Sequence, residues 1–474
     1  MFDTSRHAPP LVAMLVALLT LASGCGGGAG GGSDTGVGAT ACSETARKQF
    51  VLNVAREWYL FPDLLPATVN LADFATAADL LNHLTATARE QRKDRYFSYL
   101  TTRTEENSLL GEGQFNGFGL RTRTDPGPRP FIVEVFEASP ASEGGLQRGD
   151  EIVAVDMDDG KGYVPVSQLL ADGSTISDAL GPAEVGVRRG LRLLRDGVTR
   201  DVPLVKRTVT IDPVSNIYGV EILPLAGTTG VGYVNLRTYI STADQQLRDA
   251  FAQFRAQNLD YFIVDLRYNG GGYVSIAELI NNLLGGAQRA TDVQLRMVFN
   301  PQKAATQNVT RTFQALPESV RPARVAFLTT GGTASASEIN VNSTAPWVEV
   351  AIVGDDTLGK PVGQDAFDLS GCEDRLRLVT FKNENALGQG DFYDGLAQTL
   401  QFACAAPDTL DKPLGDATEG MTAAAVDWLS TGACGPLIPP TTAARAKTGG
   451  LAARDRYPLP RNPSAAQYWL PGIS

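Results

Sequence analysis

Histidine is nearly absent: the 474 residues contain two, His7 and His83. His7 falls in a segment expected to be removed. His83 lies in Leu80-Leu81-Asn82-His83-Leu84, an amphipathic helical pattern that accounts for its neighbours. A serine–histidine–aspartate triad is thereby left without a convincing base, and histidine-based zinc sites lose most of their ligands. There is no basic cluster and the formal net charge is −11, which argues against a nucleic-acid partner. The apolar run from Leu11 to Leu21 is too short for a comfortable membrane span. Cysteine is sparse, with five residues spaced too widely for a zinc motif.

What is present begins with a targeting segment. Arg6 precedes the apolar run, so residues 1–24 read as a secretory signal peptide. The small residues of Ala22-Ser-Gly-Cys25 resemble a bacterial lipobox, which implies lipidation of Cys25 and a membrane anchor. The leucine stands one position further from the cysteine than is usual there. Residues 25–41 are glycine-rich and form a flexible tether. Export puts Cys42, Cys372, Cys404 and Cys434 in an oxidising compartment, where one or two disulfides are expected. Pairing is expected among the three C-terminal cysteines, leaving Cys42 the odd one.

The length suits several domains with ample core. Residues 42–110 carry apolar side chains at three- and four-residue intervals and read as a small helical cap. From 111 to 207 the texture becomes glycine-punctuated strands. Gly117-Phe118-Gly119-Leu120, then Ser139-Pro-Ala, Gly145-Leu146 and Gly149-Asp150-Glu-Ile152, follow in the order of a PDZ domain, which this region resembles. Consecutive N–H groups in such a loop make a nest for a peptide carboxylate, and the adjacent strand edge pairs with the peptide. Residues 208–434 alternate strands and helices with continuous apolar strands, which indicates an α/β layer with a buried sheet. The tail, 435–474, is rich in proline and small residues and is expected to be irregular. The expected fold class is therefore α/β multidomain.

The chemistry concentrates between Val325 and Gln364. Val325-Ala-Phe-Leu328 reads as a buried strand, and Ser335-Ala-Ser-Glu-Ile339 as a helix start after a small-residue loop. A serine at such a corner is lifted clear of the sheet with free helix N–H groups beneath it. A second apolar run ends near Val353 and delivers Lys360. A lysine serves as base only if apolar burial, without a close carboxylate, holds its pKa well below the ordinary value. Asp355 and Asp356 are therefore expected to point away from it. Chemistry alone leaves both Ser335 and Ser337 open. Gly354 to Lys360 also spells G-x4-G-K, but Pro361 stands where a phosphate loop needs serine or threonine.

Thr333-Ala-Ser335-Ala-Ser-Glu-Ile339 with Gly359-Lys360 and Gln364 resembles the signature of the C-terminal processing peptidases, or tail-specific proteases. The resemblance selects Ser335 over Ser337, since the family spacing is met by Ser335, Lys360 and Gln364. It implies a Ser335 nucleophile, a Lys360 general base and a Gln364 that orients the lysine or its loop. Asp265-Leu-Arg267-Tyr-Asn-Gly270-Gly271-Gly272 resembles another family stretch, with Gly270 in place of proline. It implies oxyanion donors at the Gly271 and Ala336 N–H groups. The implied protein is an exported serine endopeptidase, periplasmic or in the cell envelope, acting on proteins with apolar C-termini and needing no metal or cofactor. The competing expectation is an inactive PDZ-bearing scaffold that only binds peptides.

Overall fold

The computed structural model describes residues 41–125, 127, 129–439, 457, 459–460 and 462–474. The expected signal peptide, Cys25 and the glycine-rich stretch through residue 40 lie outside the described residues. The protein is mixed α/β, built on three large sheets and one two-stranded ribbon. Among the described residues no helix is long and apolar enough to cross a membrane.

The central sheet has six strands in the order Val220–Leu223, Val231–Asn235, Tyr261–Asp265, Arg324–Thr329, Glu349–Gly354 and Phe402–Ala405. The first pairing is antiparallel and the other four are parallel. Successive side chains point to opposite faces, and both faces are covered. Val264, Val325, Phe327 and Ile352 pack under the helices Ala243–Ala256, Val274–Arg289 and Ala336–Thr344. Ile263, Ala326, Leu328 and Val353 pack against the helix Gly420–Thr431 through Met421, Ala425 and Trp428. Burial on two faces explains why these strands read as unbroken apolar runs.

A second sheet joins Tyr99–Thr102, Asp374–Glu384, Val293–Phe299 and Val309–Thr312, with Val362–Asp368 also paired to Asp374–Glu384. The helix Glu44–Trp58 starts at Ser43, whose Oγ accepts from the Ala46 N–H at 3.2 Å. It turns Val51, Leu52 and Ala55 onto this sheet, against Leu376, Leu378 and Val379. Residues 42–110 are therefore not wholly helical, since Tyr99–Thr102 is a sheet strand. A third sheet holds Leu120–Asp125, Arg129–Val135, Glu151–Asp156, Arg188–Arg195 and Val198–Val205, with Tyr163–Pro165 beside Glu151–Asp156. Around it Phe118, Ile132, Ile152, Leu191 and Leu193 form a core of their own.

Two further sequence expectations change. Cys404 pairs with Cys434, but Cys42 is no odd residue: it pairs with Cys372. The helix Glu44–Trp58 lies along the strand Asp374–Glu384, with Arg47 on Asp374 at 2.9 Å, and this brings the two cysteines together. The end of the tail is also not irregular. Ala465–Trp469 is helical, and Ala465, Trp469, Leu470 and Ile473 are buried against Leu109, Leu110, Phe115 and Phe136.

Candidate active site

Four strand-end segments meet at the carboxyl edge of the central sheet. The strand Arg324–Thr329 runs into a loop locked by its own threonines. Thr333 Oγ1 donates to Leu266 O at 2.8 Å, and the Thr333 N–H to Thr330 O at 2.8 Å. Ser335 then takes φ +59° and ψ −119° immediately before the helix Ala336–Thr344. That backbone is costly for a residue with a side chain and persists only where its surroundings over-determine it. Ser337, the other serine the chemistry left open, donates its Oγ to Asn269 O at 2.9 Å and is fully buried. It is a structural hydroxyl.

Glu338 connects the corner to the lysine. Its Oε2 accepts from the Ser335 N–H at 2.9 Å and from the Lys360 N–H at 2.8 Å, and its Oε1 from the Gly359 N–H at 2.7 Å. Burial pushes this carboxyl above its ordinary pKa, while hydrogen bonds from Thr357 and the three N–H groups pull the other way. One carboxylate thus ties the two catalytic candidates together through their backbones. The same arrangement answers the phosphate-loop pattern, because Glu338 fills the nest at Gly359 and Lys360.

The Lys360 side chain reaches Gln364, whose Oε1 accepts from Nζ at 2.7 Å. The rings of Phe97 and Trp469 stand 5.1 and 5.3 Å from Nζ. Gln364 in turn donates Nε2 to Phe97 O, and Asp94 fastens that segment by accepting from the Phe97 and Ser98 N–H groups at 2.8 and 3.0 Å. Ser335 and Gln364 line one cavity and Lys360 an adjoining one, with tail residues in the walls of both. Asp94, Phe97, Glu338 and Trp469 escaped sequence reasoning. Only Glu338 left a signal, as the third helical residue after a capping serine.

Asp356 turns from the lysine to the loop 395–397, where Oδ1 accepts from the Ala397 N–H at 2.9 Å and from its neighbour Thr357 at 2.8 Å. Burial raises its pKa from 3.8 to about 6. A raised carboxyl favours the fold below its unfolded value, and that contribution is lost as pH climbs through about 6. Asp356→Asn keeps an acceptor for both N–H groups and removes the titration. The variant should therefore gain on the order of 2 kcal/mol over wild type between pH 4 and 7.5, read by urea unfolding at both pH values. Asp355 lines a separate cavity with Arg123 and Asp408.

Gly271, expected as an oxyanion donor, has its N–H turned into its own loop. Its N–H donates to Asn269 Oδ1 at 2.9 Å, so this donor is engaged inside the loop. Asn269 is fully buried and also donates Nδ2 to Leu236 O at 2.7 Å, which explains the grip. Gly271 nevertheless abuts the corner: at φ +108°, a Cβ there would lie 2.8 Å from Ser335 Cβ and 3.0 Å from Ala336 N. Only glycine fits. Ala336 opens the helix behind Ser335. His83 lies exposed on the helix Ala77–Leu84 with its ring 5.0 Å from Phe74, remote from these contacts. Among the described residues no group of three or more His, Cys, Asp or Glu is placed to hold a metal ion.

The loop Gly117-Phe118-Gly119-Leu120 is filled by the chain itself. Gly119 takes φ +77°, and the Gly119 and Leu120 N–H groups both donate to Ser474 O, at 2.9 and 3.1 Å. Phe118 and Leu120 are buried beneath it. A buried ionic network fastens this region to the central sheet. Asp408 accepts from Arg148, Arg123 and Tyr268, and from Arg267 at 3.2 Å. The three guanidiniums hold the Asp408 carboxyl well below the usual range against the cost of burial.

Comparison with known proteins adds the following. Residues 230–393 match the family described as Peptidase family S41, and residues 46–99 match the Peptidase S41 N-terminal domain. A carboxyl-terminal-processing protease of Synechocystis is 28% identical over 261 residues, which are 54% of this chain and 56% of that one. The carboxy-terminal processing protease CtpB of Bacillus subtilis is 23% identical over 332 residues, 68% of this chain and 63% of its own. The chain thus spans less than two thirds of the length of these relatives. The crystal structure of a candidate S41 protease from Bacteroides fragilis superposes with a TM-score of 0.64 at 22% identity, covering 81% of this chain and 97% of that one. At that identity the likeness shows the fold alone.

Proposed function

The chain belongs to peptidase family S41, and from that premise we propose that it is an exported serine endopeptidase working through Ser335 and Lys360. Ser335 Oγ attacks the scissile carbonyl carbon while neutral Lys360 Nζ takes the hydroxyl proton. The carbonyl oxygen becomes an oxyanion held by the Ala336 N–H and, once released from Asn269, the Gly271 N–H. Lys360 returns the proton to the leaving amine, and the C–N bond breaks to give an ester on Ser335. Water then loses a proton to Lys360 and attacks the ester. Lys360 gives that proton to the departing Ser335 Oγ, which restores serine and neutral lysine, and the acid product ionises to a carboxylate. Gln364 holds Nζ on the side of the Ser335 cavity. The observation that carries this reading is the Glu338 carboxylate, which binds the backbones of Ser335 and Lys360 at 2.9 and 2.8 Å.

Residues 111–207 act in this reading as a PDZ domain that reads substrate tails, with Gly117, Phe118, Gly119 and Leu120 as the peptide-binding loop. Support comes from the two N–H donors at Gly119 and Leu120 and from the strand edge that follows them. Two disulfides are consistent with export, and Cys25 is the proposed lipid anchor to the cell envelope. The test uses an unfolded protein ending in apolar residues, and the same protein ending in two aspartates. Wild type should cut the first at least tenfold faster than the second, and Ser335→Ala should cut neither. Binding of the apolar tail without any cleavage would make the protein a peptide-binding scaffold instead.

A further inference from the structure

The segment 464–474 lies where the proposed function needs a substrate. Beyond the short helix Ala465–Trp469 its backbone runs antiparallel to the strand Leu120–Asp125. The Thr122 N–H donates to Gly472 O at 2.8 Å, the Ser474 N–H to Leu120 O at 2.9 Å, and the Gly119 and Leu120 N–H groups to Ser474 O. This is strand addition at a sheet edge, the mode by which such domains take extended peptides. Ile473, 1% exposed, fills the apolar space beside Phe115 and Phe136.

The same segment covers the reacting groups. Trp469 is 5% exposed and forms part of the wall of the cavity that holds Ser335 and Gln364. Gln467, Tyr468 and Pro471 line the cavity that holds Lys360. The Trp469 carbonyl oxygen presses on the oxyanion loop so closely that a Cβ on Gly270 would meet it at 2.4 Å. Tyr468 stacks on Tyr99 with centroids 3.7 Å apart, which anchors the segment to the second sheet. One stretch of eleven residues therefore occupies the peptide groove and the approach to Ser335 together.

We propose that residues 464–474 are a built-in pseudosubstrate: an intramolecular peptide that holds the groove and closes the site until a protein tail displaces it. The proposal rests on the peptidase reading for its consequence, but not for the occupancy itself. A tethered ligand competes at an effective concentration near the millimolar range, so a free tail must bind tightly or arrive in a favourable orientation to replace it. The ligand class follows from the segment: an extended peptide with a bulky aromatic residue upstream, a small flexible residue, and a β-branched apolar residue seated in the pocket of Ile473.

Gly472 is the place to break it. It holds φ +75°, and a Cβ there would lie 2.0 Å from Thr122 O. Gly472→Val should therefore lift the segment from the strand while leaving its other side chains intact. The first readout is anisotropy of a labelled synthetic peptide of residues 464–474 with chains that also carry Ser335→Ala. The peptide should bind the Gly472→Val chain, and a chain lacking 464–474, at least tenfold more tightly than the intact chain. The second readout is cleavage of an unfolded protein, which Gly472→Val should accelerate at least tenfold over wild type and which added peptide should slow again. If the deleted chain fails to fold, the Gly472→Val chain carries both readouts. Equal peptide affinity for opened and intact chains overturns the proposal, even if cleavage is normal. Selective binding to the opened chain without cleavage by either enzyme sustains the pseudosubstrate and removes the peptidase reading. Selective binding with equal cleavage rates overturns the gating.

Discussion

Lys360→Ala should lower kcat by about a thousandfold, within the range expected for loss of a general base, with KM little changed. Ser335→Ala should do the same, and the double variant should be no worse than either, because nucleophile and base act as one unit. Lys360→Arg should be equally inactive: a guanidinium remains protonated throughout the working range and cannot accept the serine proton. Gln364→Ala should cost less, about tenfold, since it removes the acceptor that holds Nζ at 2.7 Å and its tie to Phe97 O but leaves nucleophile and base in place. Steady-state cleavage of an unfolded protein gives kcat and KM separately. An active Lys360→Ala enzyme would sink the dyad, and an unaltered kcat with a raised KM would make Lys360 a binding residue.

Glu338→Ala should be nearly as damaging, by a different route. The side chain is fully buried and accepts from three backbone N–H groups, those of Ser335, Gly359 and Lys360. Truncation leaves three donors without an acceptor, at about 1–3 kcal/mol each. It also removes the carboxylate that joins the backbone of the Ser335 corner, at φ +59°, to that of the lysine loop. The expected result is a lower melting temperature and at least a hundredfold loss of kcat. Glu338→Gln separates the two effects. It keeps the shape, but its amide NH2 must face one or more N–H donors, so the loops should spread while the core survives. Melting curves beside the rate at which a serine-directed phosphonate labels Ser335 would distinguish them. Unchanged labelling in Glu338→Gln would show that the clamp is not needed to hold the corner.

The cap shows why a composition-level reading stops short. Helical spacing in 42–110 points to helices, and apolar side chains do recur on one face of Glu44–Trp58 and of Ala77–Leu84. Nothing in that pattern reveals that Asp94 pins Phe97, or that Phe97 O receives the Gln364 amide that steadies Lys360. Residues 94 and 364 are distant in the chain, and the contact exists only because the strands Val362–Asp368 and Tyr99–Thr102 both pair with Asp374–Glu384.

By itself the sequence determined what depends on neighbours in the chain. It marked the buried strands by their apolar runs, the strand-to-helix corner at Ser335 by its small residues, and the turn at Gly119 by its glycine. These follow from backbone sterics and side-chain periodicity within a dozen residues. Tertiary structure alone decided the rest. Cys42 meets Cys372 because a helix packs on a distant strand, and Gly271 donates to Asn269 because a buried amide must satisfy its oxygen. The segment 464–474 leaves a tail expected to be irregular and joins the strand Leu120–Asp125, about 350 positions away. Its Trp469, Leu470 and Ile473 carry no local preference for that place. What puts it there is the apolar space beside Phe115 and Phe136 and the unpaired edge of a strand, and neither exists until the sheets have formed.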